Sequence, residues 1–171
     1  HNAAGGICIT PKYMAEYRKI ADKYNVKIHV DGARIFNASI SLGVDVRELA
    51  KDADSLSFCL SKGLSCPFGG LIVGTKEFVL KARKYQQMIG GGFRQIGYMA
   101  SAGIYALKNM IYRLEDDHNN AKLLAIGLNK LGMIVNMDNV QTNFVNMEIP
   151  FSNKLANKFV HSLNSFNNIK I

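Results

Sequence analysis

Two short, largely apolar runs that each lead into a charged side chain constrain the fold of this chain most strongly. Residues 26–30 lead into Asp31, and residues 55–60 lead through a serine into Lys62. Such runs are typical of strands in layered α/β domains. The 31 positions between Asp31 and Lys62 suit a βαβ unit, which takes about 30 or more residues. The spacing therefore predicts two neighbouring parallel strands whose carboxyl ends share the sheet edge where ligands bind.

The residue types at these two strand ends indicate a specific chemistry. A lysine on a glycine-rich turn can act as an amine nucleophile and form a Schiff base with an aldehyde cofactor. Pyridoxal 5'-phosphate also needs a carboxylate that keeps its ring nitrogen protonated, so that the ring can act as an electron sink. Lys62 and Asp31 supply this pair. A lone lysine after a strand is more commonly a surface residue, so the hypothesis depends on both residues together.

Composition excludes several other classes of function. The 171 residues are 48% hydrophobic, which is enough for one full domain or somewhat more. The net charge of +8 is spread along the chain without basic runs or interleaved aromatic residues, so we expect no nucleic-acid partner. One or two of these cations would suffice for a phosphate-bearing cofactor and an acidic small substrate.

The cysteines and the chain start indicate where such a protein works. Cys8, Cys59 and Cys66 are odd in number and lack metal-binding spacing, which favours buried thiols in a reducing compartment, the cytoplasm, and no metal site. No apolar run approaches 18 residues, so we expect no membrane partner. Because residue 1 is His1 rather than a methionine, we interpret the chain as a segment of a longer protein.

Periodicity predicts alternating helices and strands. Thr10 before Pro11 and Thr75 before residue 76 are helix N-cap signals, and a run of three glycines at 90–92 separates two helices. Residues 35–41 carry a mixed pattern that fits neither class. The predicted helices are 11–24, 46–50, 76–88, 93–107, 114–131 and 152–163, and the predicted strands are 7–9, 26–30, 55–60, 71–73, 133–137 and 144–147.

Five motifs occur in order along the first 118 residues. They are HNxxGG at 1–6, DGARIFN at 31–37, SFCLSKG at 57–63, GGGFRQ at 90–95 and EDDH at 115–118. Together they resemble the low-specificity L-threonine aldolases, which are fold-type I pyridoxal phosphate enzymes of the β-eliminating lyase group. The resemblance runs from residue 1 to about residue 147.

The resemblance implies an architecture. We expect an α/β fold of the fold-type I transferase-like kind, with a mostly parallel sheet flanked by helices. Residues 1–115 would form part of the cofactor-binding large domain. Residues 116–171 would begin a smaller α+β C-terminal domain.

The resemblance also implies roles for individual residues. Lys62 corresponds to the lysine that forms the Schiff base, and Asp31 to the aspartate that pairs with the pyridine nitrogen. Arg34 corresponds to an arginine near the phenolic oxygen of the cofactor and the substrate carboxylate. Arg94 corresponds to an arginine that reaches a cofactor phosphate, that of a neighbouring subunit. As an alternative, either arginine could be a surface ion-pair partner, and we expect His118 to be structural.

The chain departs from the family pattern in places. Gln87 stands where many members have a lysine, seven residues before the matched arginine, which puts one basic contact in doubt. The ring-stacking histidine and the Gly-Thr phosphate turn of the family correspond to positions before residue 1. The second carboxylate-binding arginine corresponds to a position after residue 171.

The activity that the resemblance implies is cleavage of the Cα–Cβ bond of L-threonine or L-allo-threonine to glycine and acetaldehyde. Its substrate would be a small β-hydroxy amino acid, and the protein would be a homo-oligomer, a dimer or a tetramer. Two alternatives remain open. One is a related lyase acting on another β-substituted amino acid, and the other is an inactive segment that serves only as a packing module. The sequence does not identify the general base.

Overall fold

The structure, a computed structural model, describes residues 5–148 and 153–167. Helices and a small sheet alternate along the first half, and helices dominate the second half. The helices are α1 (Pro11–Lys23), α2 (Ile35–Leu42), α3 (Val46–Ala50), α4 (Lys76–Met88), α5 (Gly97–Asn109), α6 (Leu114–Lys130) and α7 (Asn153–Asn167), and the strands are β1 (His29–Asp31), β2 (Ser55–Cys59) and β3 (Gly70–Gly74).

The three strands form one sheet in the order β1-β2-β3. Strands β1 and β2 are parallel and place Asp31 opposite Ser57, as the spacing of the two apolar runs predicts. Strand β3 runs antiparallel to β2 and pairs Gly70 with Cys59. An antiparallel edge strand is common in sheets of this kind. The α/β fold class is therefore confirmed.

The predicted helix starts at the two threonines are also confirmed. The Thr10 hydroxyl accepts a hydrogen bond from the backbone N–H of Tyr13 at 3.4 Å, and that of Thr75 accepts one from Phe78 at 3.2 Å. The mixed segment 35–41 is helix α2, which ends where Gly43 adopts a left-handed conformation with φ of 64°. Only glycine adopts that conformation at little cost.

Two predicted element starts were wrong. Strand β1 begins at His29 rather than at residue 26, because the N–H of Ile28 donates to the Asp54 carboxylate at 2.9 Å instead of to a neighbouring strand. Helix α5 begins at Gly97 rather than at residue 93, because Gln95 has a positive φ of 50° that no helix accepts.

Three predicted strands do not form. At residues 7–9, the N–H of Cys8 donates to the Gln141 side chain at 2.9 Å. At 133–137, the Asn129 side chain binds both the N–H and the C=O of Val135, so these groups do not enter a strand ladder. Residues 144–147 form no strand, and one isolated bridge joins Ile134 and Glu148. Side-chain amides have taken the place of strand pairing.

The last predicted helix is present with a later end, whereas the predicted domain division is not tested. The helix predicted to end near residue 163 continues to Asn167, whereas its predicted first residue, Ser152, lies outside the described residues. The division between residues 115 and 116 stays a prediction.

Two core clusters meet behind the carboxyl ends of β1 and β2. One packs Ile35 and Ala38 of α2 against Leu56 of β2. The other packs Leu60, Leu64 and Cys66, which surround Lys62, against Ala106 and Leu114. The rings of Phe36 and Phe58 meet edge to face at 5.4 Å and join the two clusters. The core therefore lies directly beneath the predicted site.

Candidate functional site

Asp31 ends strand β1 and is held by its own turn. Its carboxylate is exposed and accepts a hydrogen bond from the N–H of Ala33 at 3.1 Å. The N–H of Gly32 donates to the carbonyl of Ser57 at 2.8 Å. A Cβ at Gly32 would lie 2.5 Å from a methyl group of Leu56 and 3.1 Å from the carbonyl oxygen of Ser57, so a larger residue would have to displace its neighbours. The turn therefore fixes Asp31 beside the end of β2.

Lys62 lies on a compact turn after β2. The N–H of Ser65 donates to the carbonyl of Lys62 at 2.8 Å, and the N–H of Cys66 donates to the carbonyl of Leu60 at 3.1 Å. Lys62 is half-buried, whereas Leu60, Leu64 and Cys66 are buried. The buried side chains anchor the turn and leave the lysine at its surface.

The residue after the lysine contacts helix α6. A Cβ at Gly63 would lie 2.5 Å from a methyl group of Leu114, which is fully buried. The same Cβ would lie 3.7 Å from a carboxylate oxygen of Asp117 and 3.8 Å from the amide oxygen of Asn37. The turn that carries Lys62 is therefore packed against the first turns of α6 without room for a side chain.

Arg34 precedes α2 and lies over an aromatic ring. Its guanidinium carbon is 4.4 Å from the centroid of the Phe144 ring, within cation–π range. Burial lowers the pKa of the Arg34 guanidinium, while nearby Cys59 acts in the opposite direction. Arginine stays protonated at neutral pH, so Arg34 places a positive charge in the turn that follows Asp31 and β1.

The structure thus brings Asp31, Arg34 and Lys62 to one edge. Asp31 and Arg34 share the turn after β1, and Asp31 pairs in register with β2, which leads to Lys62. The parallel pairing of β1 and β2 at this edge is the one that the sequence predicted. A carboxylate, a guanidinium and an amine at the carboxyl ends of two strands can bind a small zwitterionic or phosphorylated molecule.

Arg94 lies elsewhere, in the exposed turn between α4 and α5. The ring of its neighbour Phe93 packs against Phe68 at 5.8 Å. Phe68 belongs to the loop that follows Lys62, so the start of α5 adjoins that loop. Gln87, the departure from the family pattern, is exposed near the end of α4.

Sequence reasoning missed a polar network beneath this edge. The Asn37 amide nitrogen lies 3.1 Å from Nε2 of His118 and donates to the Asn143 side-chain oxygen at 3.4 Å. Asn37 and His118 are both 4% exposed, and burial lowers the pKa of His118. The buried position of His118 agrees with the structural role expected for it. A polar residue inside the DGARIFN motif was the one available signal for Asn37.

Gly5 and Gly6 lie against residues 142–146, which include Phe144, the ring under Arg34. The Thr142 hydroxyl donates to the carbonyl of Gly6 at 3.1 Å, and a Cβ at Gly6 would lie 2.6 Å from the Phe144 ring. The Asn146 amide donates to the carbonyl of Gly5 at 3.3 Å. These contacts hold residues 142–146 against the start of the chain. His1 and Asn2, which begin the same motif, lie outside the described residues.

Two further properties concern the described residues as a whole. Over residues 5–148 and 153–167, no helix combines the length and the apolar character needed to cross a membrane. Within the same ranges, no three His, Cys, Asp or Glu side chains are grouped so that they could hold a metal ion.

Comparison with known proteins defines the family. The profile of the beta-eliminating lyase family matches residues 1–150, and the chain belongs to this family. The resemblance drawn from the five motifs is therefore confirmed. Low-specificity L-threonine aldolase 1 of Arabidopsis thaliana is 46% identical over 157 residues, which cover 91% of this chain and 44% of that protein.

A bacterial relative and a solved structure are also similar to this chain. The low specificity L-threonine aldolase of Escherichia coli K12 is 41% identical over 144 residues, covering 84% of this chain and 43% of its own. The crystal structure of a candidate L-allo-threonine aldolase from Listeria monocytogenes superposes with a TM-score of 0.82 at 19% identity. It covers 100% of this chain and 48% of that chain, and it supports the fold alone. The chain spans less than half the length of the curated relatives it matches.

Proposed function

We propose that this chain carries the catalytic lysine and the cofactor-binding aspartate of a pyridoxal 5'-phosphate-dependent aldehyde lyase. The reaction is cleavage of the Cα–Cβ bond of L-threonine or L-allo-threonine to glycine and acetaldehyde. The observation that carries the proposal is the parallel pairing of β1 and β2, with Asp31 in register with Ser57. This pairing puts Asp31 and the turn of Lys62 at one sheet edge. The named activity of the Arabidopsis and Escherichia coli relatives supports the choice of reaction.

The residues at this edge fit the cofactor. Lys62 offers an amine on a turn that its buried neighbours hold in place, and Asp31 offers an exposed carboxylate on a turn that Gly32 fixes. When bound, pyridoxal phosphate supplies an electron sink for the bond that breaks at Cα. Lys62 would hold the aldehyde carbon, and Asp31 would keep the proton on the ring nitrogen.

Arg34 would bind the carboxylate of the substrate. Its guanidinium can form two parallel hydrogen bonds to a carboxylate, and the Phe144 ring supports it from one side. A carboxylate held at a fixed position restricts rotation about the bonds of Cα. Arg34 would thereby keep the breaking Cα–Cβ bond in the reactive orientation, which is a positioning effect.

Arg94 would act across a subunit boundary. It lies in an exposed turn, and the apolar side chains of Phe93, Ile96 and Tyr98 around it are also exposed, at 68%, 44% and 88%. We propose that this turn reaches the cofactor phosphate of a neighbouring copy in a cytoplasmic homo-oligomer. The general base that takes the β-hydroxyl proton is not assigned to a residue of this chain.

A second candidate function is elimination of a β-substituent from another amino acid. It is favoured by the family itself, whose profile is that of the beta-eliminating lyases. Both reactions would use Lys62 and Asp31 in the same way. They differ in the products, since elimination releases the β-substituent and gives, after hydrolysis, a keto acid and ammonia rather than glycine and an aldehyde.

The test uses the full-length protein with added pyridoxal phosphate. We expect an absorption band of the bound cofactor, borohydride-dependent labelling of Lys62, and release of glycine and acetaldehyde from L-threonine. Lys62→Ala should abolish the labelling and the turnover. Lys51→Ala is the matched control, because Lys51 is an exposed lysine paired with Glu48 on α3. Labelling of another lysine in Lys62→Ala would overturn the assignment, and a keto acid product would select the second candidate.

A further inference from the structure

The buried Asn37–His118–Asn143 network has no part in the chemistry proposed above, yet it joins three elements of the site. Asn37 lies in the first turn of α2, three residues after Arg34. His118 lies in the second turn of α6, four residues after Leu114. Asn143 precedes Phe144, whose ring lies under Arg34. The contacts link residues 81 and 106 positions apart in the chain.

The hydrogen bonds define the protonation state of the imidazole. The amide nitrogen of Asn37 can only donate, and it has two hydrogens. One is directed to Nε2 of His118 and the other to the side-chain oxygen of Asn143. With the amide in this orientation Nε2 accepts, which requires a neutral imidazole with its proton on Nδ1. Burial acts in the same direction, because it lowers the pKa of His118.

The network reaches both functional side chains. On one side, Asn37 fixes Asn143, and the next residue, Phe144, supports the guanidinium of Arg34 at 4.4 Å. On the other side, His118 fixes α6, whose Leu114 closes against Gly63 next to Lys62. An imidazole that no longer accepts from Asn37 would free that amide to turn and would release Asn143.

We propose that His118 is a positioning residue, which acts through Asn37 and Asn143 to hold the Phe144 platform under Arg34. The inference rests on the proposed function in one respect, namely that Arg34 binds the substrate carboxylate. It goes beyond that function because it assigns the placement of Arg34 to a histidine that touches neither substrate nor cofactor.

The experiment compares two replacements of the imidazole in the full-length holoenzyme. In His118→Gln the amide oxygen can accept from Asn37 where Nε2 does, whereas His118→Phe keeps an aromatic ring and removes the acceptor. For His118→Phe we expect the KM for L-threonine to rise about tenfold, because the buried Asn37 amide loses its acceptor, with a smaller change in kcat. His118→Gln should recover most of that loss.

A second readout needs no turnover. Hydrogen–deuterium exchange of the backbone at residues 140–146 should be faster in His118→Phe than in the wild type, and close to wild type in His118→Gln. His161→Phe is the matched control, since His161 is an exposed histidine of α7, and it should change neither exchange nor KM. Asn143→Ala removes the exposed end of the network and should raise KM even if His118→Phe does not fold.

The outcomes separate this inference from the proposed function. Equal KM and equal exchange in His118→Gln and His118→Phe would mean that an acceptor for Asn37 at this position makes no difference, and would overturn the inference. An unchanged KM in Asn143→Ala would overturn the link to Arg34. A wild-type protein without bound cofactor or threonine cleavage would overturn the proposed function instead, and the exchange comparison would still decide whether His118 holds residues 140–146.

Discussion

The edge that carries Lys62 differs sharply in burial from β3, α4 and the exposed side chains of α5, which are together called the open face. Around Lys62, Leu114 is fully buried and Leu60, Leu64 and Cys66 are at most 8% exposed. Every residue of β3 is exposed, and α4 has no buried residue. The open face includes large apolar side chains: Leu71, Ile72, Val73, Leu80, Tyr85, Met88, Ile89, Tyr98 and Tyr105.

The difference separates two ways of placing a functional residue. Lys62 and Asp31 are held by packing within this chain, so their geometry should survive as long as the local core survives. Arg94 belongs to the open face, and large exposed apolar surfaces are typical of sites that contact further polypeptide. Under the proposed function, Arg94 would depend on contacts with another copy.

Replacement of Asp31 should have the largest effect. Asp31→Asn keeps the size and most of the turn, but it removes the charge that, in the proposed function, keeps the ring nitrogen protonated. We expect the cofactor to bind more weakly and turnover of L-threonine to fall by orders of magnitude, because the electron sink is lost. Asp22→Asn, at an exposed ion pair on α1, is the control. Near-normal turnover of Asp31→Asn would show that another residue tunes the ring.

A mixing experiment tests whether Arg94 works across copies. Full-length Lys62→Ala and Arg94→Ala should each be nearly inactive. Refolded together, they should regain part of the activity, because some mixed dimers contain one site with both wild-type residues. If mixed dimers form and remain as inactive as their parents, Arg94 acts within its own chain and the contrast between the two regions disappears.

A pair of leucines on helix α6 sharpens the comparison in terms of stability. Leu114 is fully buried against Gly63, whereas Leu123 on the same helix is 70% exposed. Leu114→Ala should lower the free energy of unfolding by about 2–5 kcal/mol. Leu123→Ala should change it by no more than about 0.5 kcal/mol. Denaturant titration of both variants measures the difference, and equal losses would show that the turn of Lys62 is not anchored by α6.

Much of the site edge was predictable because its signals are local. Two apolar runs, their spacing and two charged residues indicated the parallel pair and the shared edge. The threonine caps indicated the starts of α1 and α4. Each of these signals lies within a few residues of the feature that it predicts, and the strand pairing follows from the length of a βαβ unit.

The Asn37–His118–Asn143 network could not be predicted from the sequence, because its signals are not local. Asn37 meets His118 and Asn143 only after α2, α6 and the following segment have packed together. The stacking of Arg34 on Phe144 has the same origin. Near residue 135, an apolar run favoured a strand, but the Asn129 side chain bound the backbone groups that a strand would have used. Hydropathy patterns record burial and do not record which side-chain amide competes for the backbone.

A fall in pH should destabilise the site edge through His118, and this is the smallest of the four predicted effects. Burial is the largest cause of its lowered pKa and Lys122 adds to it, whereas Asp117 and Glu115 oppose it. Asn37 and Asn143, from the other two elements of the network, contribute only amides. The unfolded chain binds this proton near the ordinary histidine pKa of about 6.5, and the folded chain binds it only at lower pH.

The sign of the change in unfolding free energy with pH follows from this difference in proton binding. Between the lowered pKa of His118 and about 6.5, the unfolded state holds more protons, so the free energy of unfolding decreases as the pH falls through that window. Above it, the contribution of the neutral imidazole is fully present. Denaturant titrations of wild type and His118→Gln at a series of pH values should therefore converge as the pH falls. A constant gap between them would show that His118 does not change its protonation in this range.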